Sequence, residues 1–294
     1  MLDKQPLAEV FGHLVTDQSV RAARYRSHSL CPFNNKVPSC TKDKAKSPLG
    51  VCSIYHGGRP VITCPIRFRE DWLITDDAAS FFFASGATWT SLTEIRLDDA
   101  HGKSAGSIDV VLVAYDERGR VHDFGALEIQ AVYISGNVRG PFEYYMGDPK
   151  ARAGMDWTNE ANYPRPDYLS SSRKRLAPQL LFKGGVLNSW GRRIAVALSK
   201  GFFETLSPLK AVPKDKADIA SLVYDLELVQ EEDKGSSRLT LRKVEEIYTR
   251  FEAALVSITT PSPGKVEDFI RLLQERLDEQ LEAPPTNSAI ERPF

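Results

Sequence analysis

Two runs of mostly apolar residues, Ile108-Asp-Val-Val-Leu-Val-Ala-Tyr115 and Asp123-Phe-Gly-Ala-Leu-Glu-Ile-Gln-Ala-Val-Tyr133, decide the fold of this 294-residue chain. Both runs are rich in β-branched and large apolar residues, which is typical of strands inside a sheet. The residues between them, Asp116-Glu-Arg-Gly-Arg120, are polar and contain a glycine, so they predict a turn. The two runs are therefore predicted to pair as an antiparallel hairpin.

Three polar residues interrupt the hairpin: Asp109 in the first strand, and Glu128 and Gln130 two residues apart in the second. Because side chains alternate across a strand, Glu128 and Gln130 should share one face, with Leu127 and Ile129 on the other. A charge within an apolar sheet is costly unless it is paired or binds a cation. Carboxylates from neighbouring strands suit Mg²⁺, which can polarise a phosphoryl oxygen and activate a water. A pair of edge-exposed carboxylates is the alternative.

Glu94 lies upstream of the hairpin in Ser91-Leu-Thr-Glu94, which is predicted to form the first turn of a short helix. Its carboxylate could be a further metal ligand or hold a second metal ion. The same four residues also have the sequence of a capping box, in which Glu94 would bond the helix start. The residues themselves leave both interpretations open.

The four cysteines, Cys31, Cys40, Cys52 and Cys64, all lie in the first quarter of the chain. Residues 1–20 lack the pattern of a secretory signal, so we expect a cytosolic protein without disulfides, because the cytosol keeps thiols reduced. Four thiolates can close a tetrahedral site around zinc or iron and hold together a segment poor in apolar residues. His56 is a possible substitute ligand. Four unrelated cysteines are the alternative.

Charge is distributed unevenly along the chain. The formal net charge is −1, from 38 Lys and Arg against 39 Asp and Glu, and this balance alone argues against a polyanionic partner. Residues 21–46 and 165–200, however, carry net charges of +6 and +7, while residues 217–294 carry −7. Such segregation can place phosphate-binding surfaces on a nearly neutral protein. Ordinary solvated surface charge is the alternative.

The second basic window contains the candidate phosphate-binding side chains. Three of them precede a predicted helix, where free backbone N–H groups also favour phosphate, and two precede a predicted apolar strand. They are Arg173, Lys174, Arg175, Arg192 and Arg193.

Four other segments have local patterns. Residues 133–167 lack periodicity and predict a long irregular stretch. Residues 176–187 predict a helix that Gly184-Gly185 breaks or kinks. Residues 241–256 predict another helix, and a further one is predicted to begin at Ser262.

Asp109 followed nineteen positions later by Glu128-x-Gln130 resembles the PD-(D/E)xK nuclease motif, with glutamine in place of the commoner lysine. Together with Glu94, the four cysteines and the stretch Arg175-Leu-Ala-Pro-Gln-Leu-Leu-Phe-Lys-Gly-Gly-Val-Leu-Asn-Ser-Trp-Gly191, the pattern resembles the NotI family of type II restriction endonucleases. This resemblance spans about Cys31 to Leu206.

The resemblance implies a specific set of site residues. Glu94, Asp109, Glu128 and Gln130 would form the catalytic set, with Mg²⁺ held by Asp109 and Glu128. The four cysteines would bind a structural iron, which the sequence alone cannot distinguish from zinc.

The expected fold is α/β: a restriction-endonuclease-like mixed sheet flanked by helices, with the hairpin at its centre. Residues 1–75 should hold a small four-cysteine metal module, residues 76–282 the catalytic domain, and residues 283–294 a disordered tail. No run is long and apolar enough to span a membrane, so a cytoplasmic location is expected.

The expected function is sequence-specific cleavage of double-stranded DNA by a homodimer, since a two-fold dimer matches a palindromic site. Gln130 leaves open an alternative, a DNA-binding or defence protein of the same fold that cuts weakly or not at all.

Overall fold

The predicted hairpin forms the fourth and fifth strands of a six-stranded sheet, next to one edge strand and not at the centre. The computed structural model describes residues 3–44, 47–231, 236–260 and 264–282. The strands of this described part are β1 (Leu7–Val10), β2 (His13–Leu14), β3 (Asp43–Lys44), β4 (Ser47–Pro48), β5 (Val51–His56), β6 (Arg59–Ile62), β7 (Trp89–Asp98), β8 (Ser104–Tyr115), β9 (Val121–Gln130), β10 (Tyr133–Ser135), β11 (Arg165–Asp167), β12 (Ile194–Ser199), β13 (Ile219–Glu231) and β14 (Ser236–Thr249).

The helices lie mostly between these strands. They are α1 (Val20–Ser27), a 3₁₀ helix (Pro65–Trp72), α2 (Leu73–Phe82), α3 (Arg139–Gly147), α4 (Tyr168–Ser171), a π turn (Ser172–Leu176), α5 (Ala177–Gln179), a second π turn (Leu180–Gly184), α6 (Gly185–Ser189), α7 (Lys200–Phe203), a short 3₁₀ turn (Lys214–Lys216), α8 (Phe251–Thr259) and α9 (Val266–Glu282).

The main sheet has the strand order β14-β13-β12-β9-β8-β7. Strand β12 runs parallel to both β9 and β13, and the remaining neighbours are antiparallel, so the sheet is mixed as predicted. Strands β8 and β9 form the predicted hairpin, with Val110 opposite Leu127 and Val113 opposite Phe124. A mixed sheet flanked by helices is thus confirmed.

Two apolar layers cover the two faces of this sheet. Phe81 and Phe82 of α2 pack in one layer with Leu127 and Ile129 of β9. Leucines of the helical part of residues 168–189 pack against the opposite face, beside Val196 of β12. The predicted alternation along β9 is therefore confirmed: the apolar side chains face α2, and Glu128 and Gln130 face residues 168–189.

The segment 168–189, called here the site helix, is helical through five consecutive pieces from α4 to α6. The prediction that Gly184-Gly185 breaks or kinks it is wrong, because both glycines have ordinary helical torsions. Gly184 is instead a packing position. A Cβ atom there would lie 2.9 Å from the ring of Phe251, so glycine allows α8 to approach the site helix closely.

Three other local predictions are corrected. The Ser91–Glu94 stretch belongs to β7 and not to a helix, because it pairs with β8. Residues 241–256 divide between β14 and α8, since residues 241–249 pair with β13 and α8 begins at Phe251. The segment 133–167 is not wholly irregular: it contains α3 and the paired strands β10 and β11.

The N-terminal part forms its own four-stranded sheet, in the order β2-β1-β5-β6. A buried ionic cluster joins it to the main sheet. The Arg67 guanidinium lies 3.0 Å from the Glu9 carboxylate and 2.7 Å from the Glu70 carboxylate. Arg67 also donates to the carbonyl of Leu239, and the Leu241 N–H donates to Glu70. Removing Arg67 would leave the buried Glu9 carboxylate without its cation, so the cluster specifies how the two sheets meet.

The chain divides into two units, Met1–Thr259 and Thr260–Phe294. The predicted boundary after residue 75 therefore falls inside the first unit, within α2. In the second unit, α9 carries apolar residues at helical spacing. Residues 261–263 and the predicted disordered tail, 283–294, lie outside the described residues. None of the described helices is long and apolar enough to cross a membrane.

Candidate active site

The hairpin brings Asp109 and Glu128 together on one face of the main sheet. Glu128 is only 1% exposed, whereas Asp109 is half-buried. One Asp109 oxygen accepts a hydrogen bond of 2.8 Å from the backbone N–H of Ile129, which fixes Asp109 against β9. Burial and the negative charge of Asp109 raise the pKa of Glu128 to about 7, although Lys183 opposes the shift.

Lys183 of the site helix is the direct partner of Glu128. Its Nζ atom lies 2.9 Å from one carboxylate oxygen of Glu128 and 2.8 Å from the other. The lysine side chain is 7% exposed, so this ion pair is shielded from water on both sides. A buried carboxylate of this kind requires such a partner.

Gln130 has a partner on the same helix. Its amide Nε2 donates to Oε1 of Gln179. Gln179 and Lys183 are four residues apart on a helix, and Glu128 and Gln130 are two apart on a strand, so each pair shares a face. The site helix therefore contacts β9 through two matched polar pairs, Gln179 with Gln130 and Lys183 with Glu128.

Glycine at position 106 makes room for the lysine. Gly106 lies on β8, three residues before Asp109, and has a φ of +111° that side chains rarely adopt. A Cβ atom at this position would lie 3.2 Å from Cε of Lys183. The lysine stem thus passes over β8 at the point where the strand has no side chain.

Glu94 lies on β7, the strand next to β8. The pairs Thr93 with Val110 and Ile95 with Ile108 place it across from Asp109 in register. Its side chain is nevertheless 68% exposed and forms an ion pair of 3.3 Å with Lys36. Its catalytic role stays a prediction.

The convergent carboxylates fit a hard divalent cation. When both acids are ionised, Asp109 and Glu128 carry two negative charges and Lys183 supplies one positive charge, so one negative charge remains for a bound cation to balance. Within the described residues, no three Asp, Glu, His or Cys side chains group closely enough to hold a metal ion. These two acids, with Gln130 and Lys183 beside them, therefore constitute the candidate site.

The four cysteines line one small cavity in the N-terminal part, together with Phe33. All four are free thiols. Burial raises the pKa of Cys31 to about 11, and the nearby Cys64 and Cys40 contribute in the same direction. Burial and Cys64 likewise raise the pKa of Cys52. The four thiols share this cavity, but no three of them group closely enough to hold a metal ion, so the metal module stays a prediction.

The candidate phosphate-binding residues fall into two places. Arg173 and Lys174 are exposed near the start of the site helix, and Arg175 lies 5.2 Å over the ring of Tyr133. Tyr133 follows the carboxyl end of β9, where Gln130 lies, so this basic cluster is near the candidate active site.

Arg192 and Arg193 lie at the amino end of β12, away from Gln130, and have partners within the protein. Arg192 bonds Asp123 at 2.5 Å, and Arg193 donates to the carbonyl of Phe81 at 2.7 Å. These contacts occupy the two guanidinium groups, so among the five candidates Arg173 and Lys174 are the better placed for DNA.

Comparison with known proteins identifies a family that matches this chain. Residues 9–239 match the family described as restriction endonuclease NotI. The match covers most of the chain and includes the whole hairpin, the site helix and the four cysteines. The chain belongs to the NotI restriction endonuclease family. Members of a restriction endonuclease family act on DNA as site-specific nucleases, which agrees with the resemblance seen in the sequence. No curated protein sequence matches the chain.

The sequence reasoning for this NotI family member did not assign Gln179 or Lys183 to the site. A signal for Lys183 was present, however. Leu176, Leu180, Lys183 and Leu187 follow the spacing of one buried helix face. A single lysine in such an apolar stripe indicates a buried partner for its charge.

Glu128 should make the metal-free protein less stable as the pH rises. Its pKa of about 7 exceeds the ordinary value of 4.5, so between these values the folded state retains a proton that the unfolded state loses. Stability therefore falls as the pH rises through this window. Glu128→Gln cannot titrate, so its unfolding free energy should gain about 2 kcal/mol relative to wild type between about pH 5 and pH 8.

Urea denaturation without added Mg²⁺ measures this difference. Glu117→Gln, in the turn of the same hairpin, is the matched control and should track wild type. A Glu128→Gln difference that does not change with pH contradicts the expectation.

Proposed function

We propose that the chain is a Mg²⁺-dependent type II restriction endonuclease that hydrolyses phosphodiester bonds at specific sites in double-stranded DNA. The observation that carries this proposal is the convergence of Asp109 and Glu128 on the β8–β9 hairpin of a NotI family member. Membership supports the DNA substrate, and the acid pair supports the chemistry as a PD-(D/E)xK-type site.

Asp109 and Glu128 would hold the Mg²⁺ ion. When bound, Mg²⁺ polarises the phosphoryl oxygen and offsets charge on the leaving oxygen. The chain prepares this site by holding both carboxylates in place: Asp109 through the Ile129 N–H, and Glu128 through Lys183. Held groups lose little freedom when substrate binds, which favours reaction.

Gln130 would position the attacking water. Its amide is already oriented by Gln179, and a neutral amide can both donate to and accept from a water. In the reaction the water oxygen bonds to phosphorus as the bond from phosphorus to the 3′ oxygen breaks. One water proton is released, and the 3′ oxygen gains a proton. Glu94 would assist from β7 once DNA displaces its surface pair with Lys36.

The assembly we propose is a homodimer, because cutting both strands of a palindrome requires two sites related by a two-fold axis. A cytoplasmic role in restriction-modification and phage defence follows from such an activity. Arg173, Lys174 and Arg175 would bind backbone phosphates. Arg192 and Arg193, at the amino end of β12, would contribute less, because both guanidinium groups have partners within the protein.

The four cysteines would hold a structural iron, with zinc as the alternative. Their cavity lies between the loop of Cys31 and Cys40, strand β5 and Cys64, which comes two residues after β6. Large apolar side chains, Phe11, Phe33 and Leu49 among them, also line it. A metal there would stabilise the N-terminal part directly. Its chemistry is separate from the hairpin site.

Cleavage of DNA tests the main proposal. Purified protein with Mg²⁺ should cut unmodified phage and plasmid DNAs into discrete fragments. Asp109→Asn and Glu128→Gln should each slow cleavage about a thousandfold, because the loss of a bound metal ion removes several kcal/mol of charge stabilisation. Glu117→Gln, an exposed carboxylate on the same hairpin, is the control and should cut like wild type.

Absence of cutting by wild type on several unmodified DNAs overturns the endonuclease proposal. If salt-sensitive but Mg²⁺-independent DNA binding remains, the protein is the non-cutting DNA-binding alternative.

Salt dependence tests the basic cluster. Arg173→Ala combined with Lys174→Ala should reduce the slope of log affinity against log salt by about 2, since each lost phosphate contact releases about one fewer counterion. Binding is measured in Ca²⁺ on a duplex that the wild type cuts. Arg192→Ala is the comparison and should change the slope less, because Asp123 already occupies that guanidinium. Equal slopes for the two variants contradict this assignment.

Elemental analysis tests the cysteine module. The purified protein should contain about one iron per chain, and Cys64→Ala should lose it together with thermal stability. His56→Ala is the control, since its ring lies 6.3 Å from that of Tyr168 and does not line the cysteine cavity. Zinc in place of iron would correct the metal, and a preparation with neither metal overturns the module.

A further inference from the structure

The strand position that normally carries a lysine in this type of site is Gln130, a neutral residue. A neutral amide cannot offset the negative charge that develops on a phosphate during hydrolysis. The residues of β9 at this site therefore supply no positive charge to stabilise it. Among the described residues, Lys183 is a cation at this face of β9. Lys183 approaches the same face of β9 from the site helix and meets Glu128, two residues before Gln130.

We propose that Lys183 supplies this missing cation and acts as a catalytic residue, donating a hydrogen bond to a non-bridging oxygen of the phosphate that is cut. This inference rests on the proposed nuclease function. The positive charge of the site would then come from a helix distant in sequence and not from the strand.

The hydrogen-bonding of Lys183 supports this role. An ammonium group has three N–H donors, and its partners in the described part of the chain are the two oxygens of one carboxylate. At least one donor is therefore available to a ligand. Glu128 fixes the ammonium in place, so the available donor is oriented before substrate arrives.

The surroundings of Lys183 accommodate a buried lysine side chain. Gly106 leaves space for its stem, since a Cβ atom at that position would lie 3.2 Å from Cε. Lys183 is also the buried lysine of the described residues, at 6% exposure, on a helix face otherwise made of leucines. Two π turns flank Gln179, and one of them contains Lys183. Such turns are frequent at functional sites.

A purely structural explanation is that Lys183 only neutralises Glu128 and keeps it in place. The two roles predict different results. A structural tether is needed for metal binding and folding, whereas a catalytic cation is needed for the rate. The catalytic role also depends on where the charge is, not on which residue carries it.

The experiment compares four proteins: wild type, Lys183→Met, the exchange variant Gln130→Lys with Lys183→Gln, and Lys243→Met. The control Lys243 also bonds two carboxylate oxygens, at 2.8 Å to Asp77 and 3.0 Å to Glu246, but lies on β14 outside the site. Three quantities are measured: Mn²⁺ binding by calorimetry, DNA binding in Ca²⁺, and the single-turnover cleavage rate at saturating Mg²⁺.

Lys183→Met should cleave about 100-fold more slowly, while its affinities for Mn²⁺ and DNA stay within about fivefold of wild type. The exchange variant should cleave at least about tenfold faster than Lys183→Met, because it returns an ammonium group to the site. Lys243→Met should cleave like wild type.

Several results would overturn the inference. A Lys183→Met rate within about threefold of wild type removes the catalytic role. Parallel loss of Mn²⁺ binding and cleavage identifies a structural tether. If Lys183→Met does not fold, the exchange variant tests the inference in its place, since it retains an ammonium group beside Glu128. An exchange variant that folds but does not cleave DNA contradicts the inference. If wild type cuts no DNA, the proposed function itself falls and this role falls with it.

Discussion

The burial of Glu128 beside Asp109 is the constraint on which the arrangement of this protein depends. Two carboxylates in a water-poor site repel each other, and this repulsion with burial raises the pKa of Glu128 to about 7. The fold compensates with Lys183, brought by the site helix to within 2.9 Å of both Glu128 oxygens. The packing of that helix therefore has an electrostatic purpose as well as an apolar one.

The surrounding structure holds this helix in position. Its leucines pack on the main sheet, Gly184 lets the Phe251 ring approach from α8, and Gly106 leaves space for the lysine stem. The matched pair of Gln179 and Gln130 fixes the register between helix and strand. A second buried ionic cluster, centred on Arg67, joins the N-terminal sheet to β14. The protein thus uses buried polar contacts to specify where its apolar elements meet, at some cost in stability.

Membership in the NotI restriction endonuclease family and the acid pair on the hairpin agree with each other. The family gives DNA as the substrate, and the hairpin offers oxygen donors suited to a hard cation. The basic residues divide by position: Arg173 and Lys174 are exposed near the carboxyl end of β9, whereas Arg192 and Arg193 are held by contacts within the protein. The near-zero net charge of the chain therefore says little about its affinity for DNA, because local position decides which charges can reach a phosphate.

The hairpin and the alternation of faces along β9, with Glu128 and Gln130 on one face, could be predicted from the sequence alone, because strand pairing across a short turn and the two-residue period are local properties. Tertiary structure decided the rest. Glu94 lies in a strand because β8 pairs with it, and residues 241–249 are a strand because β13 does, in each case against a local pattern that suggested a helix. Lys183 reaches Glu128 across 55 residues of chain. No local pattern contains that contact, since it exists only when the site helix packs on the sheet and the buried carboxylate requires a cation.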